Sequence, residues 1–507
     1  MDEPVYQFMN KTLENFKEYL KRIKKYEQAS ALISWDLQTA APKKSLEGKL
    51  EALGFFSTEA FRLSTAECYG DMLSELSRPE IFDTLDDGMK VTVRRGYRDF
   101  QRFQRVPQDF YTEYVTTSGR SEKVWEEAKL ANDFRIFAPS LDKIIAMTKE
   151  YVGYMEPDKD PYEVLLDMYE EGMDSVTIDG IFAELKEGLI PLLDKIRDAG
   201  RPDLSALEGT YDIDAQKKVQ NLLLSYIGFD FDAGGTAESA HPFTATLCRG
   251  DIRVTNHYHE THPISSIFSA IHEGGHAIFE QNIDSSLADT AAETVNLMGL
   301  HESQSRFYEN ILGRRPAFWI PIYGKLGGLL PQFKEVPFDT FCRAINDVHP
   351  SYIRTEADEV TYCLHIILRY EMEKAIFRDQ VPTDQLPALW NDKMEALLGI
   401  RPGNDAEGIL QDMHWSDGSF GYFPSYLLGS VYDGMFLNQL EKEMGNTDTI
   451  LEKGRILEIT AWLEEKIHRY GSMYNSREVI QRVCGCEISA RPLLDYFQKK
   501  YSRIYGF

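Results

Sequence analysis

Cysteine is scarce in this sequence, and no stretch of it is apolar for long enough to span a membrane. The six cysteines of the 507-residue chain lie at positions 68, 248, 342, 363, 484 and 486, which is too few and too scattered for a disulfide framework. Cys484 and Cys486 form a single C-x-C pair, which we interpret as ordinary reduced thiols. The start of the chain lacks the basic and apolar regions of a secretory signal, so we expect a cytoplasmic protein.

The chain also has fewer positively than negatively charged residues. The chain has 55 Lys and Arg against 81 Asp and Glu, which gives a formal net charge of -26. Such a charge repels nucleic acid and anionic lipid, so we expect neither a nucleic acid nor a membrane as a partner. The sequence also has no internal repeat and no glycine-rich phosphate loop between a strand and a helix. These absences exclude solenoids and give nucleotide chemistry no support.

The periodicity of apolar residues predicts a mainly α protein with a small β-sheet. We predict helices over residues 5–30, 45–75, 85–105, 108–131, 140–153, 174–198, 214–227, 263–281, 288–312, 356–378, 387–399 and 448–470. Alternating apolar and polar residues predict a strand over residues 251–255. Because 507 residues exceed the size at which one core usually stops growing, we expect residues 1–507 to form one elongated domain or two closely packed helical lobes.

The helix predicted over residues 263–281 carries the motif H-E-x-x-H at residues 272–276. Its two imidazoles are separated by a rise of roughly 6 Å and a rotation of about 40°, so both rings can bind one cation. Neutral imidazoles are typical zinc ligands, and Glu273 is placed to accept a proton from a water molecule on the metal. Gly274 and Gly275 each destabilise the helix by roughly 1 kcal/mol relative to alanine. Such a loss indicates that the space is needed because another part of the chain approaches the helix backbone there.

A catalytic zinc site usually has three protein ligands, so a third ligand must come from elsewhere in the chain. The next predicted helix contains His301 and Glu302, and Glu302 lies 26 residues after His276. The chain lacks the extended motif that would put a third histidine on the first helix. We therefore predict Glu302 as the third ligand. His301 is the weaker candidate, because it points about 100° away around the helix.

Six short motifs support a resemblance to a known family; they are His241-Pro242-Phe243, Asp251-x-Arg253-x-Thr255, His272-Glu273-x-x-His276, His301-Glu302-Ser303-Gln304, Ile353-Arg354-x-x-Ala357-Asp358 and Gly408-x-x-Gln411-Asp412-x-His414-Trp415. Through them most of the chain resembles the thermostable carboxypeptidase family typified by the Taq carboxypeptidase. The resemblance implies a helical body with a deep active-site groove, one zinc-type site that favours cobalt in some members, and commonly a homodimer. It also implies removal of single residues from the free C-termini of peptides, with broad side-chain tolerance.

The resemblance implies the metal ligands His272, His276 and Glu302, with Glu273 as the general base and acid, in agreement with the residue patterns. It also places Arg354 where the terminal carboxylate of a substrate binds, a role that suits a guanidinium.

The alternative for Arg354 is a structural salt bridge to Glu356 or Asp358. His241 and Arg253 match the family's motifs and are weaker candidates for substrate binding.

An aromatic segment at residues 411–426 predicts a buried loop that lines the site. His414 and Tyr422 are candidate catalytic donors to the oxyanion of the reaction, with a packing role as the alternative. His257, His259 and His262 lie close together, but nothing supplies a matching set of carboxylates. We interpret them as exposed loop histidines rather than a second metal site.

These patterns and the resemblance together predict a metallocarboxypeptidase with Zn²⁺ as the expected ion and Co²⁺ as the alternative. Two other functions stay open. One is an endo-acting or dipeptide-releasing oligopeptidase, which would still cleave peptides with a blocked C-terminus. The other is an inactive peptide-binding scaffold, which would show no hydrolysis with added metal.

Overall fold

Helices dominate the computed structural model, which describes residues 3–295 and 297–507. None of the described helices is both long enough and apolar enough to cross a membrane. The α-helices of these residues are α1 (Glu3–Thr39), α2 (Leu46–Ser64), α3 (Glu67–Leu76), α4 (Pro79–Phe82), α5 (Asp87–Phe103), α6 (Gln108–Ala131), α7 (Phe134–Met155), α8 (Pro161–Tyr169), α9 (Ser175–Ala199), α10 (Ile213–Ile227), α11 (Pro263–Gln281), α12 (Met298–Arg306), α13 (Pro316–Trp319), α14 (Tyr323–Leu329), α15 (Phe338–Ala344), α16 (Glu359–Phe377), α17 (Leu386–Leu398), α18 (Phe423–Met444), α19 (Thr447–Glu452), α20 (Ile456–Lys466), α21 (Ser476–Cys484) and α22 (Arg491–Tyr505).

One small sheet stands between α10 and α11. Its strands are β1 (Gly234–Glu238), β2 (Thr244–Cys248) and β3 (Asp251–Asn256), and β3 lies in the middle. β3 is parallel to β1 and antiparallel to β2, with Thr244 paired to Val254. Both the sheet and α10 contact α11, so the sheet supports the helix that carries the H-E-x-x-H motif.

The predicted mainly α fold with a small sheet is confirmed. The helix predicted over residues 263–281 is α11, and the predicted strand is the start of β3. Other predicted boundaries are wrong: 45–75 is broken into α2 and α3, 288–312 is α-helical only from Met298, and 448–470 is broken between α19 and α20.

Several elements were not predicted, including β1, β2 and α18. Two glycines open β1, and glycine is rare in strands. α18 is buried on almost every side, so its apolar residues show no helical period. The segment at 411–426, predicted as a loop, therefore turns helical at Phe423.

Among the described residues, most buried apolar side chains belong to two hydrophobic clusters. The smaller one belongs to helices α1 to α5 and includes Phe16, Leu73 and Val93. The larger one extends from α6 to α22 and surrounds α11, α12 and α18. Trp35 near the end of α1 packs edge-on against Phe243 of the segment before β2, so the N-terminal helices contact the sheet that supports α11.

Candidate metal centre

His272 and His276 of α11 and Glu302 of α12 converge on one point. Their ligand atoms all lie within 4.8 Å of one another. Within residues 3–295 and 297–507, this is the one group of three or more His, Cys, Asp or Glu side chains close enough to share a metal ion. The Nε2 atom of His276 lies 3.7 Å from Oε2 of Glu302. Two imidazoles and one carboxylate form a donor set that is typical of a catalytic zinc site.

Glycines allow α11 and α12 to approach this closely. A β-carbon at Gly275 would lie 2.7 Å from the carbonyl oxygen of Gln304 and 2.7 Å from Cα of Ser305, so no larger residue fits without moving α12. A β-carbon at Gly274 would instead meet methyl groups of Leu224 and Ile227 at 2.7 Å. The predicted close approach to both glycines is confirmed, and the backbone contact belongs to Gly275.

Glu309 orients His272. Its Oε2 lies 2.8 Å from Nδ1 of His272, which leaves Nε2 of that ring as the nitrogen available to a metal. Burial by itself lowers the pKa of His272, but the hydrogen bond to Glu309 and the carboxylates of Glu302 and Glu273 outweigh it and raise the pKa. The field at this position is therefore negative and favours a bound cation.

Glu309 belongs to a π-helix, Phe307–Leu312, that directly follows α12. Such π-helical turns are frequent at functional sites. Sequence reasoning missed Glu309. Its position seven residues after Glu302, two helical turns along the same face, was the available signal.

His276 is held by a different partner. Its Nδ1 lies 2.5 Å from Nδ1 of His301, and Nε2 of His301 lies 3.0 Å from Oε1 of Glu280. His301 is therefore placed behind His276 rather than beside it, and it is outside the three-residue ligand group. Burial, followed by the proximity of His301, lowers the pKa of His276 well below its ordinary value. A neutral ring is the form that binds a metal.

The candidate ligand Glu302 and the neighbouring Glu273 have different environments. Oε1 of Glu302 accepts a hydrogen bond of 2.6 Å from Nε of Arg306, so Oε2 is the oxygen that faces His276. Glu273 is buried, and its Oε2 accepts a hydrogen bond of 2.7 Å from the Thr244 hydroxyl on β2. Burial is the largest influence on the pKa of Glu273 and raises it. A carboxylate with a raised pKa is a better proton acceptor than an exposed one.

Arg354 is buried and bound to Asp412. Its Nε and Nη2 atoms lie 3.0 Å and 2.9 Å from Oδ1 of Asp412, and its Nη1 donates to the Tyr362 hydroxyl at 3.1 Å. The predicted alternative partners, Glu356 and Asp358, are wrong. Asp358 caps the start of α16 by accepting hydrogen bonds from backbone amides, and Glu356 is exposed, so neither reaches the guanidinium.

A second buried arginine shares the same carboxylate. Nε of Arg369 lies 2.6 Å from Oδ2 of Asp412, so two guanidinium groups, Arg354 and Arg369, surround one carboxylate. Tyr362, whose hydroxyl accepts from Arg354, also has its ring under the Arg306 guanidinium, 3.9 Å from the ring centre. The arginine pair is thus linked to the Glu302 side of the metal centre.

His414 and Tyr422 lie together beside Arg354. Their rings stack with centroids 5.7 Å apart, and Nε2 of His414 lies 3.4 Å from the Tyr426 hydroxyl. Burial lowers the pKa of His414 to about 4. Burial and then the charge of Glu302 raise the pKa of Tyr422 to about 12. At neutral pH His414 is therefore a neutral ring and Tyr422 a protonated hydroxyl, and both are able to donate a hydrogen bond.

Comparisons with known proteins identify the family of this chain. The profile of the carboxypeptidase Taq (M32) metallopeptidase family matches residues 15–501. This chain belongs to that family. Membership makes it a metal-dependent carboxypeptidase, a hydrolase of peptide bonds.

The relatives of this carboxypeptidase match it over nearly their whole length. Carboxypeptidase 1 of Bacillus subtilis is 43% identical over 492 residues, which cover 97% of this chain and 98% of that protein. Thermostable carboxypeptidase 1 of Thermus thermophilus is 36% identical and covers 97% of this chain and 99% of its own. Among solved structures, the carboxypeptidase of this family from Deinococcus radiodurans R1 has a TM-score of 0.94 at 30% identity, covering 98% of this chain and 100% of its own.

Two predicted site residues of this carboxypeptidase lie at the sheet. Arg253 of β3 binds Asp251 with two hydrogen bonds of 2.8 Å, and its guanidinium lies 5.5 Å from the ring centre of Trp35. His241 is exposed, and its carbonyl oxygen accepts a hydrogen bond from Ser239. The described contacts of both residues lie within the sheet region and between the sheet and α1. A role for either in substrate binding stays a prediction.

Among the described residues, His257, His259 and His262 do not form a metal site with neighbouring side chains. His259 and His262 are exposed, as predicted. The predicted exposure is wrong for His257, which is half-buried, with its Nδ1 atom 3.0 Å from the carbonyl oxygen of Ser239 and its ring centre 4.5 Å from that of His259.

Proposed function

We propose that this carboxypeptidase removes one residue at a time from the free C-termini of peptides, with broad side-chain tolerance. The observation that carries the proposal is the convergence of His272, His276 and Glu302 within 4.8 Å, with the buried carboxylate of Glu273 on the same helix. We propose these three residues as the ligands of one divalent ion. Zinc is the proposed ion, with cobalt as the alternative.

The residues fit such an ion. Glu309 is hydrogen-bonded to Nδ1 of His272, and His301 to Nδ1 of His276. The Nε2 atoms of the two proposed ligand histidines are therefore the ones left to face Glu302. Three protein ligands leave room for a water molecule and a substrate carbonyl. A bound divalent ion would supply a Lewis acid that polarises the scissile carbonyl and makes the attacking water more acidic.

Glu273 performs the proton transfers in the proposed reaction. It accepts a proton from the water molecule that attacks the peptide carbonyl, and it then delivers this proton to the nitrogen of the leaving amine. The hydroxyl of Thr244 holds one carboxylate oxygen and leaves the other for the water. The reaction needs no covalent acyl-enzyme.

Tyr422 and His414 are the proposed donors to the oxyanion. Each can donate from a neutral group, so each can stabilise negative charge as it develops without first losing or gaining a proton. The charge of Glu302 contributes to the raised pKa of Tyr422, so this hydroxyl lies within reach of the field of a proposed metal ligand.

Arg354 is the proposed partner of the substrate carboxylate. Two arginines share Asp412, so the cluster of Arg354, Asp412 and Arg369 has one more positive than negative charge. A terminal carboxylate would complete this charge balance. The Nη1 atom, which now donates to the neutral hydroxyl of Tyr362, is the donor that would be redirected at the lowest electrostatic cost.

We also propose a cytoplasmic homodimer, from the scarcity of cysteine and from the resemblance of the chain to its family.

The test combines metal analysis with a peptide ladder. The purified protein is incubated with a 10- to 15-residue peptide and with the same peptide amidated at its C-terminus, and the products are followed by mass spectrometry. We expect one ion per chain, sequential loss of single residues from the free acid, and slow or no loss from the amide. Internal fragments or released dipeptides from both peptides would instead indicate an oligopeptidase. An absence of products at full metal occupancy would indicate a binding scaffold.

A further inference from the structure

His301 spans the gap between a proposed metal ligand and a second carboxylate. It lies directly before Glu302 on α12, yet both of its nitrogens are directed towards α11. Nδ1 faces His276 at 2.5 Å, and Nε2 faces Glu280 at 3.0 Å. The side chain of Glu280 is only 9% exposed, and it follows His276 by four residues on the same face of α11. A chain of carboxylate, imidazole and imidazole therefore ends at the proposed metal position.

The direction of the hydrogen bonds in this chain is determined by its two ends. If Nε2 of His276 binds the metal, its proton is on Nδ1, and that N–H donates to Nδ1 of His301. His301 must then accept at Nδ1 and have its own proton on Nε2. The carboxylate of Glu280 is an acceptor, so this N–H has a partner. One arrangement of protons satisfies every member of the chain.

We infer that His301 and Glu280 are positioning residues that orient His276 and set the affinity of the metal site. The inference rests on the proposed function, because it takes His276 as a ligand. It differs from the direct pairing of Glu309 with His272, where one carboxylate suffices. Partners behind a ligand fix the orientation and basicity of its ring, and their loss typically lowers metal affinity about 10- to 100-fold.

A neighbouring carboxylate provides a matched control. Glu280 lines a cavity of about 210 Å³ between α1, β2 and α11, and Glu293 lines the same cavity. Glu293 is paired instead with Lys24 and Arg249. Glu293→Ala removes a carboxylate from the same cavity as Glu280→Ala does, so it separates the hydrogen-bonded chain from a general effect of charge.

The experiment measures the dissociation constants of Zn²⁺ and Co²⁺ by competition with a chromophoric chelator. We expect His301→Ala to weaken binding about 10- to 100-fold and Glu280→Ala to weaken it by a smaller factor. The double variant should bind no more weakly than His301→Ala alone, because Glu280 acts through His301. Glu293→Ala should stay within about twofold of the wild type. An unchanged affinity in His301→Ala, or a double variant that loses the product of both factors, would overturn the inference.

A conservative variant tests the hydrogen bond itself. The asparagine side chain of His301→Asn is too short to reach Glu280, but its oxygen stands near the position of Nδ1. This variant should therefore recover part of the affinity that His301→Ala loses. A His301→Asn protein that binds as weakly as His301→Ala, with a metal-free unfolding midpoint like that of the wild type, would also overturn the inference. His272→Ala tests the proposed metal centre independently of His301. If this variant binds metal as tightly as the wild type, the proposed metal centre is wrong.

Discussion

Glu273 is the carboxylate at the metal centre whose neighbour is a hydroxyl rather than a cation. Glu302 is paired with Arg306 and Glu309 with His272, whereas Glu273 accepts from Thr244. Because no cation among the described residues is hydrogen-bonded to Glu273, burial is the largest influence on its pKa and raises it. The residue is thus equipped for proton transfer rather than for an ion pair.

We predict that Glu273→Gln binds metal like the wild type but loses turnover by at least about 100-fold, because the amide keeps the size of the side chain and cannot accept the proton. The measurement is kcat on a free-acid peptide together with metal content. Glu293→Gln, a carboxylate substitution outside the centre, should keep its activity. Near-normal turnover of Glu273→Gln at full metal occupancy would remove Glu273 from the role of base.

Arg354 allows a test of exopeptidase recognition. Arg354→Ala should lower kcat/KM for a free-acid peptide by about 10- to 100-fold, since a charge-assisted hydrogen bond contributes roughly 1.5–3 kcal/mol. The matched amide should lose much less, because it has no charge for Arg354 to bind. Arg354→Lys should recover only part of the loss, because an ammonium lacks the planar fork.

The control for Arg354 is Arg135→Ala. Arg135 is exposed and also bound to a carboxylate, that of Asp133, so this variant removes an arginine without touching the site. Equal losses for the acid and the amide in Arg354→Ala would show that the arginine supports the aromatic cluster around Tyr362 and Tyr426 rather than the substrate.

Among the elements, α12 is confined between two helices at glycine contacts. Gly275 of α11 lies against its backbone on one side, and on the other a β-carbon at Gly429 of α18 would lie 2.9 Å from the carbonyl oxygen of Gly299. The position of Glu302 relative to the two proposed ligand histidines therefore depends on helix separations that only glycine permits.

We predict that Gly275→Ala weakens metal binding by about tenfold or more, because its methyl group meets backbone atoms that cannot move independently of α12. Gly274→Ala is the matched control. Its methyl group meets only the ends of the Leu224 and Ile227 side chains, which can change rotamer at a small cost. Both dissociation constants are measured by chelator competition. Equal effects of the two substitutions would show that the separation of α11 and α12 does not control the site.

The loop before α18 is anchored by the buried carboxylate of Glu373. It accepts hydrogen bonds from Trp415 at 3.0 Å, from the Tyr162 hydroxyl at 2.8 Å and from the amide of Gly421 at 3.0 Å. Burial raises the pKa of Glu373 to about 7 despite these donors. Since the folded-state pKa lies above the unfolded one, the protonated carboxyl contributes stability that is present below about pH 4.3 and is lost as the pH rises through about 7.

We predict that the wild type loses more free energy of unfolding between pH 5 and pH 8 than Glu373→Gln does, by up to about 3 kcal/mol. The amide does not titrate, so this contribution is absent from the variant. The measurement is denaturant unfolding of both proteins at pH 5, 6.5 and 8. Glu170, another buried carboxylate with a pKa of about 7, is present in both proteins and cancels in the difference. Parallel curves would contradict the prediction.

At the scale of the whole molecule, the metal centre belongs to the larger of two hydrophobic clusters. α11 and α12 contribute to that cluster, whereas the smaller cluster is built from α1 to α5. A ligand that binds only the folded protein stabilises it by about 2.7 kcal/mol at a concentration 100-fold above its dissociation constant.

We predict that saturating metal raises the midpoint of the transition that unfolds the larger cluster by on the order of 2–3 °C, and that a chelator reverses the shift. Calorimetry of the apo and metal-loaded protein provides the measurement. Glu302→Ala, which lacks the proposed third ligand, should show little or no shift. A shift of the same size in this variant would place the stabilising metal elsewhere.

The sequence by itself determined the local part of the metal centre. The H-E-x-x-H spacing places two imidazoles on one helical face whatever surrounds the helix, and the bounds of α11 follow from Pro263 and the apolar period. The close contact at Gly275 was also predictable, since an interior glycine is costly unless something needs the space. These features depend on residues a few positions apart, whose relative geometry is set by the helix.

Only the tertiary structure decided which side chains support the site. Glu309 reaches His272 across 37 positions of the chain, and His301 reaches His276 across 25. Asp412 reaches Arg354 across 58 positions and displaces the nearer carboxylates, Glu356 and Asp358, that sequence proximity favoured. The physical reason is that a buried charge takes the partner that helix packing brings to it, and packing is decided by side chains far from either residue.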